Sequence, residues 1–352
     1  MKRFISLVLT LVLVLCASAG LLSVDVKTSA LSVKKVKLNK TKINLNVGDK
    51  YALKLKNASS KVKWSVSDKR VATVSGKGKV TAKRPGIAYV WAYFRGYYYE
   101  CAVYVRTWLI GHRGFSSKFP ENTIPAFTGA VENGFDGVEC DLWEGDEGIL
   151  LIHHDQTLKR MLKTDGYIWN MTAEEILEYP IKGGANIKNY TEPLYVPTLK
   201  ETLKALKGTT VRFMLHIKGN EDYELSEDGE EEVIRLLNKY KMKSRTTLIG
   251  SYSYIKPFVE TGYDLAVISD VQDENHLYKA VNWCKKNKVK TILCLNFESL
   301  FVLGTKTAFR DYMLNKKMFF GLYTTLKSSE YKTLGRMGAV YAVSDYKLKW
   351  SI

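Results

Sequence analysis

The stretch "IGHRGFSSKFPENTIPAF", residues 110–127, ends an apolar run on His112 and Arg113, set between Gly111 and Gly114. Glycines let a backbone turn sharply and approach a neighbour closely. A histidine beside an arginine suits proton transfer and anion binding. Taken alone, the same residues also fit a plain turn with two solvated side chains. Three further places repeat the pattern. "GVECDLW" sets Glu139 and Asp141 two residues apart, so strand alternation puts both carboxylates on one face and Cys140 on the other. Two carboxylates pointing together into a site repel each other unless a cation sits between them. "ILLIHHD" brings His153, His154 and Asp155 to the end of an apolar run, and "VRFMLHIK" puts His216 and Lys218 on the face opposite Leu215 and Ile217.

Elements that alternate must position these residues. From 108 onward, strand candidates lie at 107–112, 136–143, 149–154, 211–217, 246–251, 264–269, 290–296, 318–324 and 338–344. Helical stretches such as "TIPAFTGAVENG", "EEEVIRLLNKYK" and "ENHLYKAVNWCKKNK" lie between most of them. Repeated β–α units of this length predict an α/β fold, a (β/α)8 TIM-type barrel, with a doubly wound sheet as the second choice. Chemistry in a barrel sits at the carboxyl ends of the strands, where His112, Glu139, Asp141, His154, His216 and Lys218 all fall. Nine candidates for eight strands imply one extra hairpin near 143–151, where the gap is too short for a helix. Residues 34–105 read differently. Seven short β-rich runs separated by Gly, Asn, Asp, Ser and Lys predict a small all-β sandwich with Trp64 in its core. The aromatic run "FRGYYYE" (94–100) reads as cross-strand packing or as a binding patch.

The chain has 352 residues, 46% of them hydrophobic, and a net charge of +17 with lysines spread along its length. Size points to two domains. Charge points to anionic partners: a phosphate-bearing substrate, a wall polymer or a membrane surface. No zinc-finger, helix-turn-helix or RNA-binding signature is present, so nucleic acid is not an expected partner. Residues 1–20 read as an export signal: Lys2 and Arg3, an apolar stretch, then "ASA" at 17–19. The apolar run is short of the ~20 residues a membrane span requires. Leu15 before Cys16 disfavours lipidation. A secreted or cell-surface protein follows. The remaining cysteines, Cys101, Cys140, Cys284 and Cys294, form no close pair, so buried thiols are expected, with a Cys284–Cys294 bridge as the alternative.

Residues 34–105 resemble the bacterial Ig-like domain of group 2, through "LNVGDKYALKL", "VKWSVSDKRVATVSGKGKVTAKRPGIAYV" and "CAVYV". Residues 107–352 resemble the glycerophosphodiester phosphodiesterase family, through "GHRG" with "PENT", "GVECDL" then "LLIHHD", "VPTLKETL" then "MLHIK", and the closing Ser344-Asp345. That resemblance implies a hydrolase releasing sn-glycerol 3-phosphate and an alcohol. It implies His112 and His154 as the acid–base pair and Arg113 and Lys218 as phosphate-binding residues. It also implies one divalent cation (Mg, Ca or Mn) on Glu139 and Asp141. The chain departs from the family at His216, where a third carboxylate is usual. A histidine ligand favours a borderline ion, so Zn joins the candidates. The same departure leaves open a catalytically impaired barrel that binds wall or lipid. A phosphoinositide-type phospholipase is the other enzymatic alternative.

Overall fold

The computed structural model describes residues 35–350; the export signal read over 1–20 lies outside them. Short runs with alternating burial, such as Lys42–Leu45 and Lys79–Ala82, build an Ig-like sandwich. One sheet runs in the order Lys42–Leu45, Tyr97–Val105, Gly86–Phe94, Lys63–Val66. The other runs Lys50–Ala52, Lys79–Ala82, Ala72–Val74. Leu53, Val80, Val90 and Val103 are fully buried in this module. The run "YALKLK" is two strands instead of one. The Asn39 side chain accepts from the Lys54 amide and donates to the Ala52 carbonyl, and Leu55–Lys56 then pairs with Lys37–Leu38. Trp64, expected in the core, is half-buried on an edge strand. Its ring lies against Gly78, where a Cβ would stand 2.8 Å away.

Eight parallel strands follow: Trp108–Gly111, Gly137–Glu144, Arg212–Ile217, Thr246–Gly250, Asp264–Ser269, Thr291–Cys294, Phe319–Tyr323 and Tyr341–Ser344. Gly111 pairs with Val138 on one side and Ser344 on the other, which closes the barrel. The ninth run, Leu150–Ile152, is antiparallel to the second barrel strand. On that second strand Val138, Cys140 and Leu142 join the core between strands and helices, so Glu139 and Asp141 face the barrel axis. On the third strand Phe213, Leu215 and Ile217 do the same and leave His216 inward. The helix Glu227–Lys239 shows how the outer layer is built. Ser226 caps its first turn, Val233, Leu236 and Leu237 are buried, and the remaining faces are charged. The four cysteines from Cys101 to Cys294 are free and buried. Among the described residues no helix is long and apolar enough to cross a membrane.

The sandwich packs on the end of the barrel where the strands begin. Guanidinium groups of Arg70 and Arg84 lie over the Phe319 ring, 4.3 and 4.4 Å from its centroid. Arg70 also donates to the Lys317 carbonyl at 2.9 Å, and Arg84 pairs with Asp264 at 3.6 Å. Phe319 and Asp264 each open a strand. At the junction, Arg106 grips Asp136 with both terminal nitrogens (2.8 and 2.5 Å), and Asp136 also accepts from the Leu109 amide. Removing one partner of such a half-buried pair leaves the other without compensation. Asp136→Ala should therefore lower unfolding stability by about 2 kcal/mol. Urea denaturation measures it, and an unchanged midpoint would mean the pair only decorates the junction.

Candidate active site

The first barrel strand ends in a turn with no space for side chains at its glycines. A Cβ on Gly111 would stand 2.7 Å from the Gly114 carbonyl oxygen. One on Gly114, which has φ +83, would stand 2.5 Å from the Ala126 backbone. The turn thus presses against the helix Ile124–Glu132 and holds Arg113 at φ +55, a left-handed conformation that costs a non-glycine residue roughly 1 kcal/mol. In that conformation the Arg113 amide donates to Glu139 Oε2 at 2.9 Å. Each residue after Pro120 then has a partner. Glu121 accepts from Arg113 Nη1 at 2.7 Å. Asn122 Nδ2 donates to Asp141 Oδ2 at 2.8 Å. Thr123 caps the helix by accepting from the Ala126 amide. The glycines and the "PENT" segment together are a scaffold for one charged cluster.

Asp141 is wholly buried at its centre. His216 Nδ1 lies 3.1 Å from its Oδ1, Lys218 Nζ 3.4 Å, and Arg113 Nε 3.5 Å from its Oδ2. Against the effect of burial, the Lys218 charge and the His216 hydrogen bond hold Asp141 well below the usual carboxylate range. Glu139, equally buried, has weaker support. Burial and the Asp141 charge push it up to about 7. Burial and then the Lys218 charge bring the His216 imidazole down to about 4, so it is neutral at pH 7. One donor atom each from Glu139, Asp141 and His216 lies within 4.8 Å of the others, a grouping able to hold a metal ion.

Two histidine–aspartate pairs complete the site. His112 Nδ1 lies 2.7 Å from Asp345 Oδ1, which also accepts from Ser116 Oγ. The His112 Nε2 is buried and has no hydrogen-bond partner among the described residues. His154 Nδ1 lies 2.7 Å from Asp155 Oδ1, and Arg160 clamps Asp155 to Glu121. In both, a carboxylate at Nδ1 fixes the hydrogen there and leaves Nε2 as the basic nitrogen. Burial lowers the His154 pKa, which favours the neutral ring. His153 takes no part in the cluster; its Nε2 meets the Thr157 carbonyl at 3.3 Å.

The structure thus brings His112, Arg113, Glu139, Asp141, His154, His216 and Lys218 to one end of the barrel. It adds one member that the motifs do not reveal. Tyr323, at the end of the seventh strand, donates to Glu139 Oε1 at 3.2 Å and stands edge-on to His112. Its position at a strand end is the only sequence signal it carries. Asp345 belongs to the closing Ser344-Asp345 motif, but its pairing with His112, 233 residues away, follows from no spacing rule.

Both parts of the chain resemble known proteins. Residues 112–317 match the glycerophosphoryl diester phosphodiesterase family, and residues 23–93 match the bacterial Ig-like domain (group 2). The chain is 32% identical over 152 residues to a glycerophosphodiester phosphodiesterase of Caldanaerobacter subterraneus, covering 43% of this chain and 60% of that protein. A second such enzyme, from Bacillus altitudinis, is 29% identical over 150 residues, covering 42% and 59%. The chain therefore spans somewhat under two thirds of the length of the curated relatives it matches. Among solved structures, an Oleispira antarctica phosphodiesterase in complex with the product sn-glycerol-3-phosphate superposes with a TM-score of 0.57. It is 20% identical, over 68% of this chain and 94% of that one, a likeness of fold. Since the family match takes in more than half of the chain and begins on His112 itself, this protein belongs to the glycerophosphoryl diester phosphodiesterase family.

Proposed function

We propose that the barrel hydrolyses glycerophosphodiesters to sn-glycerol 3-phosphate and an alcohol with the help of one divalent cation, and that the protein is secreted or held at the cell surface. In this reading residues 1–20 are an export signal, 34–105 the sandwich and 107–352 the catalytic barrel. The Ig-like domain supports an extracellular or surface setting. One observation carries the reading: two imidazoles, each anchored at Nδ1 by an aspartate, flank a buried pair of carboxylates. Hydrolysis of a diester needs one group to take a proton from the attacking oxygen and another to give one to the leaving alcohol. His154, favoured as the neutral ring, takes the first role and His112 the second. Arg113 and Lys218 bind the phosphate oxygens, Arg113 with its planar fork already braced by Glu121.

The donors present fit a divalent cation. Glu139, Asp141 and His216 would hold it, and the repulsion that lifts Glu139 is what a cation between the carboxylates relieves. When bound, the ion polarises a phosphoryl oxygen and offsets the charge that develops on it. His216 reaches this site with the Nδ1 that faces Asp141, so ligation requires its hydrogen to move to Nε2.

Turnover of glycerophosphocholine, measured with Mg, Ca, Mn or Zn and again with chelator, tests the proposal directly. His112→Ala and His154→Ala should each lower kcat by about 10²–10⁴-fold with the fold intact. His153→Ala should lower stability more than turnover. No hydrolysis with any of the four ions would overturn the enzymatic reading in favour of a binding barrel.

Glu139 also makes a prediction about stability. Its pKa is raised from 4.5 to about 7, so the folded protein keeps a proton that the unfolded chain loses between those values. In chelator, this group's contribution is full below about pH 4.5 and is lost as pH rises to about 7. His216, lowered to about 4, acts in the opposite sense, so the comparison must be with a variant that shares it. Glu139→Gln should gain on the wild type steadily from pH 5 to pH 7 in urea denaturation. A gap that stays constant would mean that Glu139 is ionised throughout.

A further inference from the structure

The sandwich carries most of the protein's net charge and a half-open aromatic face. Residues 35–105 contain 16 Lys and Arg against 3 Asp and Glu, whereas residues 106–352 contain 33 against 32. Lysines are spread along the chain, but most of the acidic residues that balance them lie in the barrel. In the four-stranded sheet, Val90, Ala92, Cys101 and Val103 point inward and are fully buried. Alternation therefore turns Tyr89, Trp91, Tyr93, Tyr98 and Tyr104 to the other face. Tyr89 and Trp91 stack at 6.5 Å with 22° between their planes. Tyr93 and Tyr98, opposite each other across the hairpin, have ring centroids 5.0 Å apart. Tyr98, near the hairpin tip, is 70% exposed. Lysines border the row: Lys42 Nζ lies 4.7 Å above the Tyr104 ring, and Lys63 is the register partner of Tyr93. At its inner end the row meets a cleft of about 680 Å³ lined by Tyr89, by Lys69, Arg70 and Lys317 and by the carboxylates of Asp68 and Asp311, between the sandwich and the helix Lys306–Asn315.

We propose that this face binds an anionic polysaccharide, a chain of sugar rings bearing carboxylate or phosphate. Aromatic rings on an antiparallel sheet normally pack against a second layer, yet here Tyr89, Trp91, Tyr93 and Tyr104 are only half-buried and Tyr98 is open, and exposed aromatic patches mark binding sites. A sugar ring offers an apolar C–H face to the electron-rich face of Tyr or Trp and keeps its hydroxyls in water. The surrounding lysines supply the charge complement. Among its described residues this face has no exposed aliphatic side chain to insert into hydrocarbon, and the Glu100 carboxylate, bonded through Oε2 to Trp91 Nε1 at 2.9 Å, is a charge that hydrocarbon excludes, which argues against a membrane. The sandwich sits at the opposite end of the barrel from His112 and Asp141, so a polymer held on this face leaves the active site open.

The test uses the full-length protein and affinity electrophoresis through gels containing polygalacturonate, dextran or polyglutamate, with sedimentation on phosphatidylglycerol vesicles as a fourth arm. Polygalacturonate should retard the protein. The double change Trp91→Ala with Tyr93→Ala should weaken that binding at least tenfold, as should Lys42→Glu with Lys63→Glu. Hydrolysis of small diesters should not change in either variant. Tyr98→Ser, at an exposed hairpin position, should weaken binding several-fold and keeps the test sound if a double variant misfolds. Dextran should bind far less tightly than polygalacturonate. Retention by polyglutamate equal to that by polygalacturonate and insensitive to the aromatic changes would reduce the face to plain charge. Aromatic-dependent sedimentation with vesicles would make it a membrane surface. No retardation by polygalacturonate would overturn the proposal outright, whatever the barrel's activity.

Discussion

Glu139 and Asp141 lie two residues apart on one strand of a closed barrel, both wholly buried and both turned to its axis. Such a pair is unfavourable by itself, since each carboxylate loses hydration and each repels the other. The neighbouring elements answer that repulsion. The first strand bends into a glycine-bounded turn so that the Arg113 amide reaches Glu139. The helix Ile124–Glu132 starts where it does because Thr123 caps it, and one residue earlier Asn122 reaches Asp141. The third strand supplies His216 and Lys218, and the seventh ends on Tyr323. The barrel mouth is organised around a negative charge that the apolar core cannot hold unaided.

The two ends of the barrel solve different problems. At the end where strands finish, polar side chains from the first, second, third and seventh strands converge. At the end where they begin, aromatic rings of Trp108 and Phe319 are covered by arginines, Arg212 over one and Arg70 and Arg84 over the other. Arginine is suited to this because its weakly hydrated planar cation stacks on a ring and can still pair with Asp264. Sandwich and barrel thus meet away from the site, so the Ig-like domain can stabilise the barrel and present its own aromatic face without obstructing the mouth.

Much of this was legible in the sequence, because the relevant rules are local. Alternation on "GVECDLW" placed both carboxylates on one face, and the short gap after it foretold the antiparallel hairpin Leu150–Ile152. Strand-end position brought His112, His154 and Lys218 together without knowledge of the register. What was hidden depends on distance along the chain or on side-chain hydrogen bonds. Asp345 reaches His112 only once the barrel closes. Asn39 divides "YALKLK" into two strands by capturing the Lys54 amide, a choice that β-propensity does not register. Trp64 is half-buried because its strand lies at the sheet edge, and edge position follows from pairing order, which pattern alone does not fix.

The resemblance implies a third carboxylate where this chain has His216, and the surroundings of His216 show how a histidine is accommodated there. The inner charges at this end of the barrel are Glu139 and Asp141 against Arg113 and Lys218, which sum to zero when all are ionised. A carboxylate at 216 would add a third negative charge beside two that already repel strongly enough to lift Glu139 to about 7. The imidazole adds none. It remains neutral at pH 7, lies 3.1 Å from Asp141, and meets the Tyr323 hydroxyl at 3.4 Å. Tyr323, in turn, bridges from His216 to Glu139, the carboxylate with the least support. A histidine in place of a carboxylate would thus lower the demand for an external cation without removing the donors that could hold one, and would shift their preference from hard oxygen-seeking ions toward borderline ones.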